Sequence, residues 1–129
     1  MSKGFPKLTA AATTRFTASH ALPDIGVEKP HYHTWTIKAG YTHEMHPEKG
    51  CTFPMQQMRK QLQDIVDQLD GQHLNDILLF PPTSENIACW ILVRLPNYWE
   101  FVQVEAYDGF EVTITQAGLR EYGRDVYKP

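Results

Sequence analysis

The chain has no apolar run approaching the roughly 18 residues that a membrane-spanning helix needs. It has no basic excess either: 12 lysines and arginines face 15 acidic residues, for a formal net charge of −3 with the six histidines neutral. That balance argues against the basic surface on which nucleic acids and anionic membranes bind. Cysteine is scarce. Cys51 and Cys89 form no spaced motif, are too few for a disulfide scaffold, and read as plain buried thiols. The opening stretch MSKGFPKLTAAATTRF carries no apolar core of a secretory signal, so a cytoplasmic, reduced protein is the expectation. There is also no linker and no internal repeat. At 129 residues and 42% hydrophobic, the chain suffices for one domain, 1–129, with a real core.

From Leu8 to His20 the residues Phe16, Ala18 and His20 alternate with Arg15, Thr17 and Ser19, the period of a strand. Leu22-Pro23-Asp24-Ile25-Gly26 interrupts it, and a second strand is expected over about His31–Tyr41. Between Pro54 and Asp70 the apolar Met55, Met58, Leu62, Ile65, Val66 and Leu69 recur at three- and four-residue steps, one face of an amphipathic helix. Pro54 suits its start, where a missing N–H costs nothing. A second helix opens in PPTSENIACWILVRL, with Thr83 or Ser84 as N-cap and an acidic residue in the first turn. WEFVQVEAYDGFEVTITQAG reads as two strands around the hairpin signal Asp108-Gly109. The order β-β-α-α-β-β predicts an α+β domain: a four-stranded antiparallel sheet with two helices on one face.

Candidate chemistry concentrates in HYH. Strand residues two apart point the same way, their Cα atoms separated by about 6.6 Å, so His31 and His33 project side by side with Trp35 and Ile37 continuing the face. His20 ends the preceding strand on the face of Phe16. If the two strands pair, three imidazoles converge, and three neutral imidazoles with one open position describe a catalytic zinc site. An isolated HxH is common by chance, and a lone His20 would more often be a hydrogen-bonded, half-buried residue. His43 and His46, in YTHEMHPEKG, are expected to be solvated.

The fragments FTASHAL, HYHTWTIKAGY, LDGQHLNDI, PPTSENIACWI and VQVEAY, in this order, resemble the 6-pyruvoyltetrahydropterin synthase and 6-carboxytetrahydropterin synthase (QueD-type) family over nearly the whole chain. The resemblance implies the tunnelling fold (T-fold), in which the sheets of several subunits close into a barrel with active sites at their interfaces, usually as a hexamer, a dimer of trimers. It implies Zn2+ held by His20, His31 and His33. It also implies a pterin ring anchored by Glu105, whose carboxylate would accept two adjacent N–H groups in a paired, charge-assisted geometry. Thr83 and Ser84 match the turn that helps hold the ring. Both also have plain readings, as a helix cap and, for Glu105, as an exposed strand carboxylate.

The departures from the family pattern are informative. Four positions before His31, where these synthases usually carry a proton-transferring cysteine, stands Val27, and Glu28 follows. ExxHYH resembles the branch in which a glutamate replaces the thiol and the side chain is cleaved to a hydroxymethyl-pterin. Tyr32 stands where glycine is the rule and is expected on the opposite strand face. In LDGQHLND the family's Asp-His pair is reduced to Asp70, with Gly71 in the histidine position and His73 two residues on as the possible substitute. Cys51 is a weak chemical candidate.

Two functions stay open. One is a zinc lyase acting on a dihydropterin with a polyol side chain, 7,8-dihydroneopterin or its triphosphate, with Glu28, Asp70 and His73 as the catalytic set. The other is a pterin- or purine-binding relative that has lost the reaction and possibly the zinc. The partners implied are a small-molecule pterin and further copies of the chain, with no nucleic acid and no membrane.

Overall fold

The computed structural model describes residues 5–46, 48, 50, 54–106, 108–122 and 124–128; Cys51 lies outside them. β1 (Lys7–Leu22) and β2 (Val27–Glu44) form a long antiparallel hairpin, turned by a single 3-10 turn at Pro23–Ile25 and by Gly26 at φ 85°. β2 pairs with β3 (Phe101–Glu105) and β3 with β4 (Glu111–Thr115), so the sheet order is β1-β2-β3-β4 and every neighbouring pair is antiparallel. Between β2 and β3 the chain forms α1 (Met55–Val66) and α2 (Ser84–Arg94).

The expected architecture therefore stands, an α+β domain with helices on a four-stranded antiparallel sheet, with two differences of extent. Both early strands run further than the alternation indicated, Leu22 pairing with Val27 at one end of the hairpin and Lys7 with Glu44 at the other. Thr9 and Thr42 are 2.6 Å apart at their hydroxyls, and Thr17 and Thr34 are 2.8 Å apart. A short helix, α3 (Gln116–Tyr122), follows β4 directly. At its start the Gln116 backbone N–H donates to Glu100 O and its side-chain N–H to Trp99 O, tertiary bonds that no local periodicity announces.

One face of the sheet carries the core. Ala12, Phe16, Ala18, Trp35, Ile37, Ala39, Val102 and Val104 are buried there against Met58, Leu62, Ile65 and Val66 of α1 and Ile87, Ala88, Ile91 and Leu92 of α2. The opposite face presents Thr13, Arg15, Thr17, Thr34 and Lys38. α2 is buried around most of its surface, as expected for an apolar helix, because the C-terminal segment crosses it. The Arg94 guanidinium donates to Tyr127 O and Lys128 O and lies 3.8 Å over the Trp90 ring. Gly40 is required where it stands, since a Cβ there would run into the Ala10 carbonyl of the neighbouring strand. Among the described residues, no helix is long and apolar enough to cross a membrane.

α1 ends at Val66, earlier than Asp70, but Leu69 still packs into the core and Asp70 opens a loop with a specific task. β1 is an edge strand, and an unpaired edge is a template for unwanted pairing. Residues 70–75 cover its last third. Asp70 Oδ1 accepts the Thr17 N–H at 2.9 Å, Gly71 N–H donates to Thr17 O, Ser19 N–H donates to Gln72 O, and the Asn75 amide holds both N–H and C=O of Ala21.

Candidate metal centre and active site

The hairpin register sets His20 directly opposite His31, with Ala18 opposite His33 and Phe16 opposite Trp35. All three histidines share the core-side face of the sheet, at the end that the helices leave uncovered. Their ring centroids lie 4.5 Å (His20–His31), 4.5 Å (His31–His33) and 5.2 Å (His20–His33) apart. One ligand nitrogen from each lies within 4.8 Å of the others, the one such group among the described residues. Trp35, 1% exposed, forms the floor, its ring edge-on to His20 at 5.0 Å and to His33 at 5.6 Å.

The backbone decides which nitrogen each ring can offer. His20 Nδ1 lies 2.8 Å from Pro82 O, and His31 Nδ1 lies 3.1 Å from Lys29 O. A carbonyl only accepts, so Nδ1–H donates in both and the lone pair is on Nε2. An outer carbonyl that fixes tautomer and ring orientation is the usual support of a metal-bound histidine. Burial pushes His20 below the ordinary histidine pKa against the pull of the Pro82 bond, and the charges of His31 and His73 push it further. Burial likewise lowers His33, helped by His31 and His20 and opposed by Asp108. Three converging imidazoles, His20 and His31 oriented by carbonyls and His20 and His33 pushed toward the neutral form by burial, fit a tetrahedral zinc with its fourth position open.

Around this triad the remaining candidates fall into three groups. The Thr83–Ser84 turn adjoins it, since Pro82, whose carbonyl holds His20, immediately precedes Thr83. Thr83 Oγ1 itself caps α2, accepting the Asn86 N–H at 3.2 Å. His73 lies along the edge of β1, beside Ser19. Its Nδ1 is 2.8 Å from Ser19 Oγ, and its backbone pairs with Ser19 as a parallel bridge. Asp70 reaches the same loop from the other side, with its carboxylate held on the Thr17 N–H.

Glu28 belongs to a bulge. His20 pairs with His31 but Leu22 pairs with Val27, so Glu28, Lys29 and Pro30 together oppose Ala21. Bulges recur beside active sites because they re-aim side chains. Here the bulge, with Gly26, Val27 and His31, lines an open cleft of about 500 Å³. Glu105 stands apart. Its strand neighbours Val102 and Val104 face the core, and Glu105 pairs with Thr36 on the exposed side, so the sheet separates it from the three histidines of its own chain. Tyr32, 72% exposed, is on that same outer side.

Three contributors were not legible beforehand. Pro82 and Lys29 act through carbonyls, which no side-chain motif reveals. Asp108, read only as half of a turn signal, has its Oδ1 bonded to the Phe110 N–H and its charge acting on His33. Cys89 is half-buried, and burial raises its thiol above the ordinary range, in keeping with an inert side chain.

A family model described as 6-pyruvoyl tetrahydropterin synthase matches residues 9–117. A protein of Pyrococcus furiosus described as dihydroneopterin monophosphate aldolase is 34% identical over 100 residues, covering 74% of this chain and 85% of that one. The solved structure of Caenorhabditis elegans 6-pyruvoyl tetrahydropterin synthase superposes with a TM-score of 0.78 at 20% identity, covering 88% of this chain and 99% of that one. At that identity the last likeness speaks to the fold alone.

Proposed function

The chain belongs to the 6-pyruvoyl tetrahydropterin synthase family, and on that premise we propose that it is a zinc-dependent lyase that cleaves the side chain of 7,8-dihydroneopterin or one of its phosphates. The observation that carries this reading is the triad. Three histidines converge, and two of them are turned by backbone carbonyls so that Nε2 faces outward. The relative described as a dihydroneopterin monophosphate aldolase supports the reaction class, as does the glutamate at position 28.

His20, His31 and His33 would hold the metal, which would supply a Lewis acid for a side-chain hydroxyl. The cleavage is a retro-aldol reaction and needs no oxidant. A hydroxyl loses its proton, the adjacent carbon–carbon bond breaks as that carbon becomes an aldehyde, and the released electron pair passes into the ring's imine. A proton then returns to the carbon left on the pterin. His73 takes the hydroxyl proton, Glu28 delivers one to the carbon, and Asp70 fixes the loop that carries His73. The Thr83–Ser84 turn adjoins the ring. Glu105, across the sheet, would hold the paired N–H groups of a pterin only in a pocket shared between copies. A homo-oligomer, a hexamer built as a dimer of trimers and working in the cytoplasm, completes the proposal.

One observation favours the second reading, a pterin- or purine-binding relative without the reaction. Gly71 occupies the position of the family's base histidine and adopts φ 74°, a left-handed conformation that a histidine would find strained. The deciding experiment measures zinc in protein purified without chelator or histidine tag, then incubates it with 7,8-dihydroneopterin and its mono- and triphosphate. Stoichiometric zinc with a hydroxymethyl-dihydropterin and a released aldehyde is the expected result. Pterin bound and recovered intact would establish the binding relative instead.

A further inference from the structure

We infer that Asn86 is a positioning residue for His20, acting through the Pro82 carbonyl, and that Tyr127 of the C-terminal segment locks the Asn86 amide in place; this rests on the metal-centre reading above. The carbonyl that holds His20 Nδ1 at 2.8 Å belongs to a stretch, residues 78–83, that lies outside helix and strand. Pro81 and Pro82 have no N–H, so the stretch has no main-chain donors there with which to brace itself. Asn86, in the first turn of α2, bonds it on both sides of Pro82. Its side-chain Nδ2–H donates to Pro81 O at 2.9 Å, and its main-chain N–H donates to Thr83 Oγ1 at 3.2 Å. Pro81 O also accepts the Thr83 N–H at 2.8 Å, which closes the turn. Pro81 is exposed and Pro82 is buried, so a bond made at the surface holds a carbonyl that acts inside, on His20.

The two ends of an amide differ, since Nδ2 only donates and Oδ1 only accepts. Pro81 O, an acceptor, fixes which end of Asn86 faces the turn, and Oδ1 accepts the Tyr127 hydroxyl at 3.1 Å. Tyr127 meets the same stretch a second time, its ring tilted against Phe80 with centroids 5.3 Å apart. The Tyr127 main chain is itself anchored by Arg94, whose guanidinium donates to Tyr127 O at 2.9 Å. A continuous set of bonds therefore runs from the C-terminal segment through Asn86 and the proline turn to Nδ1 of His20. A carbonyl on the outer nitrogen fixes which nitrogen a ring offers to a metal. Loosening the turn frees His20 to exchange tautomers, and Nε2 then carries the proton for part of the time. His31 is an internal reference, since its carbonyl comes from Lys29 in the hairpin, outside this set of bonds.

The test combines zinc titration against a competing chelator with 15N-imidazole NMR of the zinc-free protein at about pH 8, above the ordinary histidine pKa. Asn86→Ala should lower zinc affinity about 10-fold, the lower end of the roughly 10–100-fold lost when an outer partner of a ligand is removed. Tyr127→Phe, which keeps the ring on Phe80, should lower it about threefold, the modest worth of one hydrogen bond. On the Asn86→Ala background Tyr127→Phe should have no further effect, because it acts through the amide. In the zinc-free protein Asn86→Ala should change His20 from Nδ1–H alone to a mixture of tautomers, while His31 keeps Nδ1–H. An unchanged His20 tautomer in Asn86→Ala, or equal disturbance of His20 and His31, would overturn the inference. A Tyr127→Phe loss that persists undiminished on the Asn86→Ala background would overturn the part given to Tyr127. If the unmutated protein binds no zinc, the metal-centre reading fails by itself, and the tautomer comparison still decides whether Asn86 orients His20.

Discussion

β2 carries histidines at both ends, His31 and His33 where it begins and His43 near its close, with His46 just beyond. At the first end the strand period sets two rings on one face, the register brings His20 across from His31, and the carbonyls of Lys29 and Pro82 turn two rings outward by Nε2. At the far end His43 pairs with Leu8, donates Nδ1–H to the adjacent Glu44 O, and is exposed. His46 is exposed as well, and its Nδ1 accepts the Glu48 N–H. Both ends have histidines whose rings meet backbone groups. What separates them is the cross-strand third ligand and the buried floor of Trp35, which together lower the cost of ordering the set before any metal arrives. Spacing along one strand nominates a site, and the partner strand decides it.

The largest effect that can break this comparison is removal of a ligand. His33→Ala should cost zinc affinity by more than about 100-fold, since loss of even an outer hydrogen-bond partner costs 10–100-fold, and turnover should vanish with the metal. His43→Ala should leave zinc content and turnover within about twofold of the parent. Metal analysis after dialysis against graded chelator concentrations checks both. A similar loss of zinc in the two variants would mean that the ends are not distinct.

Much of this was legible from residue pattern. Period-two alternation placed His20 on the face of Phe16, and His31 and His33 on the face of Trp35, and the structure sets all five together. The apolar steps of Met58, Leu62, Ile65 and Val66 marked the buried side of α1. What was not legible depends on long-range backbone geometry. The Ser19–His73 contact spans 54 positions and arises because a loop lies along a strand edge. The separation of Glu105 from the triad follows from its register with Thr36, a matter of one residue, and a one-residue change of register moves a side chain to the other face. Asp108 was visible as a turn former, but its proximity to His33 depends on how the hairpin loop folds back.

A smaller effect sharpens the comparison through pH. Burial lowers both His20 and His33 below the ordinary histidine pKa of about 6.5. A histidine whose pKa is lower folded than unfolded favours the folded state in its neutral form. That contribution is complete above about pH 6.5 and is lost as pH falls through the lowered folded values. Chelator-treated protein should therefore lose thermal stability between pH 7 and pH 5, and His33→Asn should flatten that fall. Zinc-loaded protein should follow the same direction more steeply, because protons compete for the nitrogens that bind the metal. A stability that rises on acidification would contradict the burial assigned to these rings.

The smallest expected effect concerns Asp108, which tests how much of the difference between the two ends is electrostatic. Its charge favours the protonated form of His33 and works against burial. Asp108 is exposed, and water and salt weaken an interaction of that kind, so its worth is small. Two effects of Asp108→Asn then compete at the metal. Loss of the carboxylate leaves His33 easier to deprotonate, which favours zinc binding at low pH. Loss of a negative charge also weakens the attraction for a dication, which disfavours binding at every pH. Near pH 7.5, where His33 is already neutral, only the second remains, and zinc affinity should fall about threefold or less, the size expected of an exposed charge. Near pH 5.5 the two effects oppose and the difference should narrow. Zinc titrations at the two pH values, each repeated at higher salt, separate them. The pH 7.5 difference should shrink with salt, whereas a large, salt-independent loss would make Asp108 a direct ligand and extend the site across the β3–β4 loop.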